Sequence, residues 1–135
     1  MAHDREVFKN SSWGRTRQPK NLVGTNGTAL TEATKPTTVA PNAATDGHLT
    51  ENQRYLHVTF YNSQAVNRTL SVWLYSHASG IWAQFKTTAG AAKSITVNNT
   101  TVSEVFEIFG ADRVYVQAND TLDDNDLVYL AGSTF

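Results

Sequence analysis

Cysteine is absent from the chain. Neither a disulfide framework nor a thiolate metal site is available, and redox chemistry leaves the compartment open. Long apolar runs are absent as well. No stretch approaches the roughly 18 residues of a transmembrane helix, and the opening MAHDREVFKN lacks the apolar segment of a secretory signal. A soluble chain with no membrane partner is expected. Net charge is nearly absent, at −1 over 135 residues, which gives no reason to expect nucleic acid or an acidic surface as the overall partner. No glycine-rich phosphate cradle and no nucleophile elbow occurs.

What is present begins with residues 54–86. In YLHVTFY, Leu56, Val58 and Phe60 share one parity and Tyr55, His57, Thr59 and Tyr61 the other. Alternation with period two marks a half-buried strand. TLSVWLY repeats it with Leu70, Val72 and Leu74 inward, and IWAQFK with Ile81, Ala83 and Phe85 inward. Asn62, Ser63 and Asn67 suit one connector, and Gly80 the next, where it can take positive φ. Further along, SITV, DRVYVQA and LVYLAGSTF are strands with Ile95, Val97, Val114, Val116, Val128 and Leu130 inward. SEVFEIFG suits either a short helical turn, capped by Ser103 and Gly110, or a strand. Short strands at near-regular spacing predict an all-β fold, a small antiparallel β-sandwich of jelly-roll-like kind over residues 51–135.

Residues 1–50 are a different material. Their large apolar residues recur at neither helical nor strand spacing, and Gly, Pro, Thr, Asn and Ala fill the gaps. Such a stretch does not bury enough surface to offset its ordering entropy. It is expected to be a long extended N-terminal arm, ordered only by lying on something else. At about 3.3 Å per residue such an arm reaches beyond one small domain, which favours contact with neighbouring subunits. The arm holds six basic residues against four acidic, while residues 51–135 hold five against eight. SSWGRTRQPK concentrates the positive charge around Trp13, and Trp13, Arg15 and Arg17 are read as protein-interface anchors.

Candidate chemistry is sparse. Asp120, Asp123, Asp124 and Asp126 crowd the loop 119–126, but the central glycine and bidentate glutamate of an EF-hand loop are missing, so a solvated turn is expected rather than a cation site. His57 and His77 lack an identifiable third metal ligand. Glu104 and Glu107 share one short element, with nothing to set them across a cleft. Asn-x-Ser/Thr sequons at Asn10, Asn26, Asn67, Asn98, Asn99 and Asn119 follow from the richness in Asn and Thr. No catalytic residue, metal or cofactor is assigned, and an enzyme is not expected.

The outward parity carries Tyr55, Tyr61, Trp73, Tyr75 and Trp82, where a solvated face would show Lys, Glu and Thr. Exposed together, these rings make a patch that soluble monomers rarely keep. The patch suits a protein–protein interface, or else a carbohydrate platform on which sugar faces stack. The remaining reading is that another sheet or the arm covers the rings.

The pieces FYNSQ, TLSVWLY, SITV, EVFEIFG, DRVYVQA and LVYLAG, in that order over residues 54–135, resemble small β-sandwich virion proteins of tailed bacteriophages. GADR carries one glycine where those proteins have a glycine-rich turn. The resemblance implies a structural protein of the virion. On the capsid surface it would be a decoration or cement protein whose partners are the major capsid protein and copies of itself in a homotrimer. In the tail, neck or baseplate it would be a small component. A carbohydrate-binding attachment module is the reading from another class.

Overall fold

The computed structural model describes residues 20–21, 36–87 and 89–133. Every regular element in them is a strand: β1 (Lys20–Asn21), β2 (His48–Leu49), β3 (Tyr55–Tyr61), β4 (Arg68–Ser76), β5 (Ile81–Gln84), β6 (Ser94–Val97), β7 (Thr101–Glu107), β8 (Arg113–Ala118) and β9 (Leu127–Ser133). The alternation in β3 is realised, with Leu56, Val58 and Phe60 fully buried. The stretch that suited either a helical turn or a strand is a strand, and Gly110 closes it at φ +89°.

The strands form two antiparallel sheets. One has the order β1-β9-β3-β7, and the other has β2-β8-β4-β5 with β6 also paired to β4. β5 pairs with the second half of β4 (Trp73 to Ser76) and β6 with the first half (Arg68 to Ser71), so the two share one edge. Consecutive strands repeatedly change sheet, as β3 to β4, β6 to β7, β7 to β8 and β8 to β9 all do. Between the sheets lies a β-sandwich core built on Phe60, Phe106, Leu70, Val72, Val114 and Ile108. Ring packing of Phe85 against Phe106, edge to face at 5.3 Å between centroids, ties β5 to the opposite sheet.

Among the described residues β7 is an edge strand with no further partner strand. Ile108 donates to the Arg54 carbonyl, and the Thr100 carbonyl accepts from Asn62, so the even-numbered residues of this stretch face β3. The odd-numbered backbone groups, Ser103 and Val105 among them, point away. Lys93 blunts this edge. Its ammonium donates to the Val105 carbonyl, pairs with Glu104 at 3.7 Å and sits 4.5 Å from the Phe106 ring centroid. A lysine so placed obstructs edge-to-edge pairing.

At one end of the sandwich, two buried polar side chains organise the loops. Asn62 donates to the carbonyls of Val66 (2.6 Å) and Val97 (2.7 Å) and accepts from the Gln64 amide (3.0 Å). Asp126 accepts from the Ser63 amide and hydroxyl and from the Asp123 amide, each at 2.7 Å. Both side chains are fully buried, and burial without those partners would be costly. Asn62→Ala strands the buried Val97 carbonyl and leaves the part-buried Val66 carbonyl without its donor. Urea unfolding should show a loss of about 2–3 kcal/mol, whereas a change below about 0.5 kcal/mol would show that water replaces the amide.

Candidate interaction surfaces

The expected aromatic patch is divided between opposite faces of the molecule. Tyr55 and Tyr61 are half-buried on the outer face of the β9-β3-β7 sheet, with His57, Thr59 and Tyr129 as neighbours in register. Trp73, Tyr75 and Trp82 belong to the outer face of the other sheet. The cause is topological: β3 and β4 are consecutive in the chain but lie in different sheets. Trp13, Arg15 and Arg17 fall outside the described residues.

The second outer face is not open. Tyr75 and Trp82 are only 6 % and 9 % exposed, and the chain's own residues 36–49, hereafter the strap, lie over Trp82. An aromatic row underlies it. Tyr75 and Trp82 meet at 5.2 Å, and Trp82 meets Tyr115 edge to face at 6.1 Å. Trp73, half-buried beside them, donates its indole N–H to Gln117 Oε1 at 2.9 Å. For Tyr75 and Trp82 an exposed protein interface is thus corrected to an intramolecular contact.

The strap is gripped by side chains that read its backbone. The Tyr115 hydroxyl donates to the Val39 carbonyl (2.6 Å), Gln117 Nε2 to Thr38 (2.8 Å) and Trp82 Nε1 to Ala43 (2.9 Å). Arg113 donates to three successive carbonyls, Thr45 (2.9 Å), Asp46 (2.7 Å) and Gly47 (3.0 Å). The Ala118 amide adds a bond to Thr37, and β2 then pairs antiparallel with the start of β8. Arg113, Tyr115 and Gln117 are the odd positions of β8, so a strand of alternating sequence turns a row of donors outward. That alternation is visible in RVYVQA and was the available signal for these residues, which went unassigned in the sequence. Gly47 permits the closest approach. Its φ is +70°, and a Cβ there would lie 2.1 Å from the Val114 carbonyl oxygen.

Charge tunes the strap. Asp46 Oδ2 accepts from the amides of Asn42 and Ala43, both at 2.9 Å, which holds its carboxyl below the usual range. His48 is depressed from its ordinary 6.5 by burial and by the Arg113 charge beside it.

A second surface is formed at the end of the sandwich where the turn after β2, the β4–β5 turn and the β7–β8 loop converge. Leu49, Ile81 and Phe109 are 52 %, 66 % and 68 % exposed there. Ile81 pairs with Ser76 on the core-facing parity, but it opens the short edge strand β5, and the expected inward place of Ile81 and of Ala83 does not become burial. The Arg54 guanidinium stacks 4.7 Å from the Phe109 ring centroid. Two shallow hollows, of about 180 Å³ beside Phe109 and about 210 Å³ beside Leu49, are both walled by Asn52 and Asp112.

The other candidates do not converge on chemistry. His57 bonds Ser133 at 2.9 Å on one sheet, while His77 packs edge to face on Tyr75 of the other, so the two histidines do not meet. Glu104 and Glu107 have opposite parity on β7, and Glu104 faces Lys93. Asp126 of the acidic loop is spent on Ser63 and Asp123, and Asp120 pairs with Arg68 at 3.4 Å. Among the described residues no group of three or more His, Asp or Glu is placed to hold a metal ion. Compared with known families and curated proteins, the chain matches no family model and no curated protein.

Gly47→Ala should lift the strap. In a chain whose Trp13 and Trp73 are Phe, the Trp82 emission should shift to the red and the unfolding free energy fall by more than about 2 kcal/mol; unchanged emission would contradict the close approach. Acidification should loosen the strap in two steps. The unfolded chain takes up a proton near pH 6.5 that folded His48 resists, so stability is complete above that value and declines below it. Asp46 contributes above its ordinary 3.8, and that contribution is lost as pH falls further. His48→Gln should abolish the first step of a stability-against-pH series; a slope left intact would assign it to another group.

Proposed function

We propose that this chain is a virion structural protein of the tailed-bacteriophage type, a capsid cement or decoration protein that works by binding alone. The observation that carries the reading is the end of the sandwich. Leu49, Ile81 and Phe109, all more than half exposed, lie at that end at separate points of a small domain whose other aromatic face is closed by its own strap. An aromatic ring and two aliphatic side chains left exposed around one end suit contact with a protein partner that spans that end. The β-sandwich architecture agrees with the resemblance. In this reading the end patch docks on the major capsid protein, copies associate as a homotrimer, and the basic stretch around Trp13, Arg15 and Arg17 anchors to neighbours. Repetition over a lattice then multiplies individually weak contacts. A tail, neck or baseplate component would use the same surfaces at lower copy number.

A carbohydrate-binding reading draws on one feature, the exposed Phe109 ring beside Asn52 and Asp112. It predicts binding to isolated glycans in an array, which the cement reading does not.

The test is the copy number of this chain in purified particles, with variants alongside. A ratio near one to one with the major shell protein supports cement, a few copies support a tail or neck part, and absence overturns both. Phe109→Ser with Ile81→Ser, at sites that bury little, should leave thermal stability within about 3 °C and weaken attachment at least about tenfold. Attachment that survives this double change would move the docking surface elsewhere.

A further inference from the structure

We infer that the strap is exchangeable: the outer face of β8, β4 and β5 that holds residues 36–49 of its own chain also accepts the same residues from a second copy, giving a strap-swapped assembly. This inference rests on the strap's geometry and not on the particle reading.

The receptor is indifferent to which chain supplies the strap. Tyr115, Gln117, Trp82 and Arg113 all donate to strap carbonyls, and the Ala118 amide does the same. The strap itself contributes little apolar burial. Pro36 and Pro41 are buried, while Val39 and Leu49 are 67 % and 52 % exposed. Its hold is therefore a set of backbone bonds that a symmetric exchange reproduces one for one.

The pivot is short and strained. Thr50 is fixed to the far side, its hydroxyl donating to the Ala111 carbonyl at 2.7 Å and its amide to Asp112 at 3.1 Å. Gln53 lies against Gly132, where an added Cβ would meet its Cγ at 2.6 Å. Between these anchors, Glu51 and Asn52 take φ of 51° and 65°, consecutive left-handed conformations in residues other than glycine. That conformation is unfavourable for side chains with a Cβ. It folds the strap back onto its own sandwich. Opening the two residues to extended backbone releases the strain, keeps Thr50 at an equivalent site on the partner, and sends the strap across. Exchange of identical elements through a strained hinge is a low-cost route to association. In dilute solution the tether favours the closed form, since its effective concentration is of millimolar order. Crowded copies, as on any repeating surface, compete at that level.

The absence of cysteine gives a clean readout. Thr38→Cys and Gln117→Cys stand at a bonded pair of strap and receptor. Placed in one chain and oxidised dilute, they should close within the chain. Placed in separate copies that are unfolded, mixed and refolded together at about millimolar concentration, they should yield a disulfide-linked heterodimer. Glu51→Gly with Asn52→Gly removes the hinge strain from the closed form and should lower the heterodimer yield about fivefold or more. Native mass spectrometry of the unmodified chain after the same treatment reads the exchange without any cysteine, as a dimer that persists on dilution. Intrachain closure with no heterodimer above a control pair on distant surfaces, or no persistent dimer in the unmodified chain, would overturn the inference. Absence of the unmodified chain from purified particles, with exchange intact, would instead count against the proposed function alone.

Discussion

Arg113 is the point on which the outer half of the structure depends. Its guanidinium reaches three consecutive carbonyls, of Thr45, Asp46 and Gly47, just before the chain enters β2. Guanidinium donors are fixed in a planar fork, so bonds to successive carbonyls set the course of the strap as well as its attachment. Around that fork the other constraints fall into line. Gly47 approaches the Val114 carbonyl more closely than any side chain would allow, Trp82 is sealed beneath Ala43, and His48 loses basicity to the adjacent positive charge. Remove the fork and the sandwich would retain its core while its aromatic row met water.

This arrangement changes where binding can occur. A row of Trp and Tyr on a sheet invites a partner, but here the chain supplies its own cover. Among the described residues, the surfaces left for other molecules are the apolar end around Phe109, the half-buried tyrosine face of the other sheet, and the β7 edge that Lys93 obstructs. Of these the end has the most exposed apolar side chains, and the proposed cement role draws on it for that reason.

The strands were legible because period-two alternation is a property of the residues themselves. Leu56, Val58 and Phe60, or Val114 and Val116, face the core wherever their strand lies. What alternation does not encode is the neighbour on each face. Trp82 looked exposed and Ile81 buried, and the reverse holds, because the strap covers one and the other stands at the start of a short edge strand. Tyr55 and Trp73 looked like one patch because nothing local reports that β3 and β4 part into different sheets. Residues 36–49 showed no periodicity for a definite reason. They are held through their carbonyls, which every residue has, so the hold leaves no trace in side-chain pattern. Its trace lies instead on the receptor, in the donors at alternate positions of β8.

The central claim, that the sheet's outer face is closed by the chain's own strap, is tested most directly by amide hydrogen exchange in the dilute protein. The Ala118 amide bonds to the Thr37 carbonyl, and its protection depends on the strap lying in place. The account predicts exchange at Ala118 far slower than at the outward amide of Ser103 on the open β7 edge, and approaching that of the core strand β4. Exchange at Ala118 as fast as at Ser103 would contradict it.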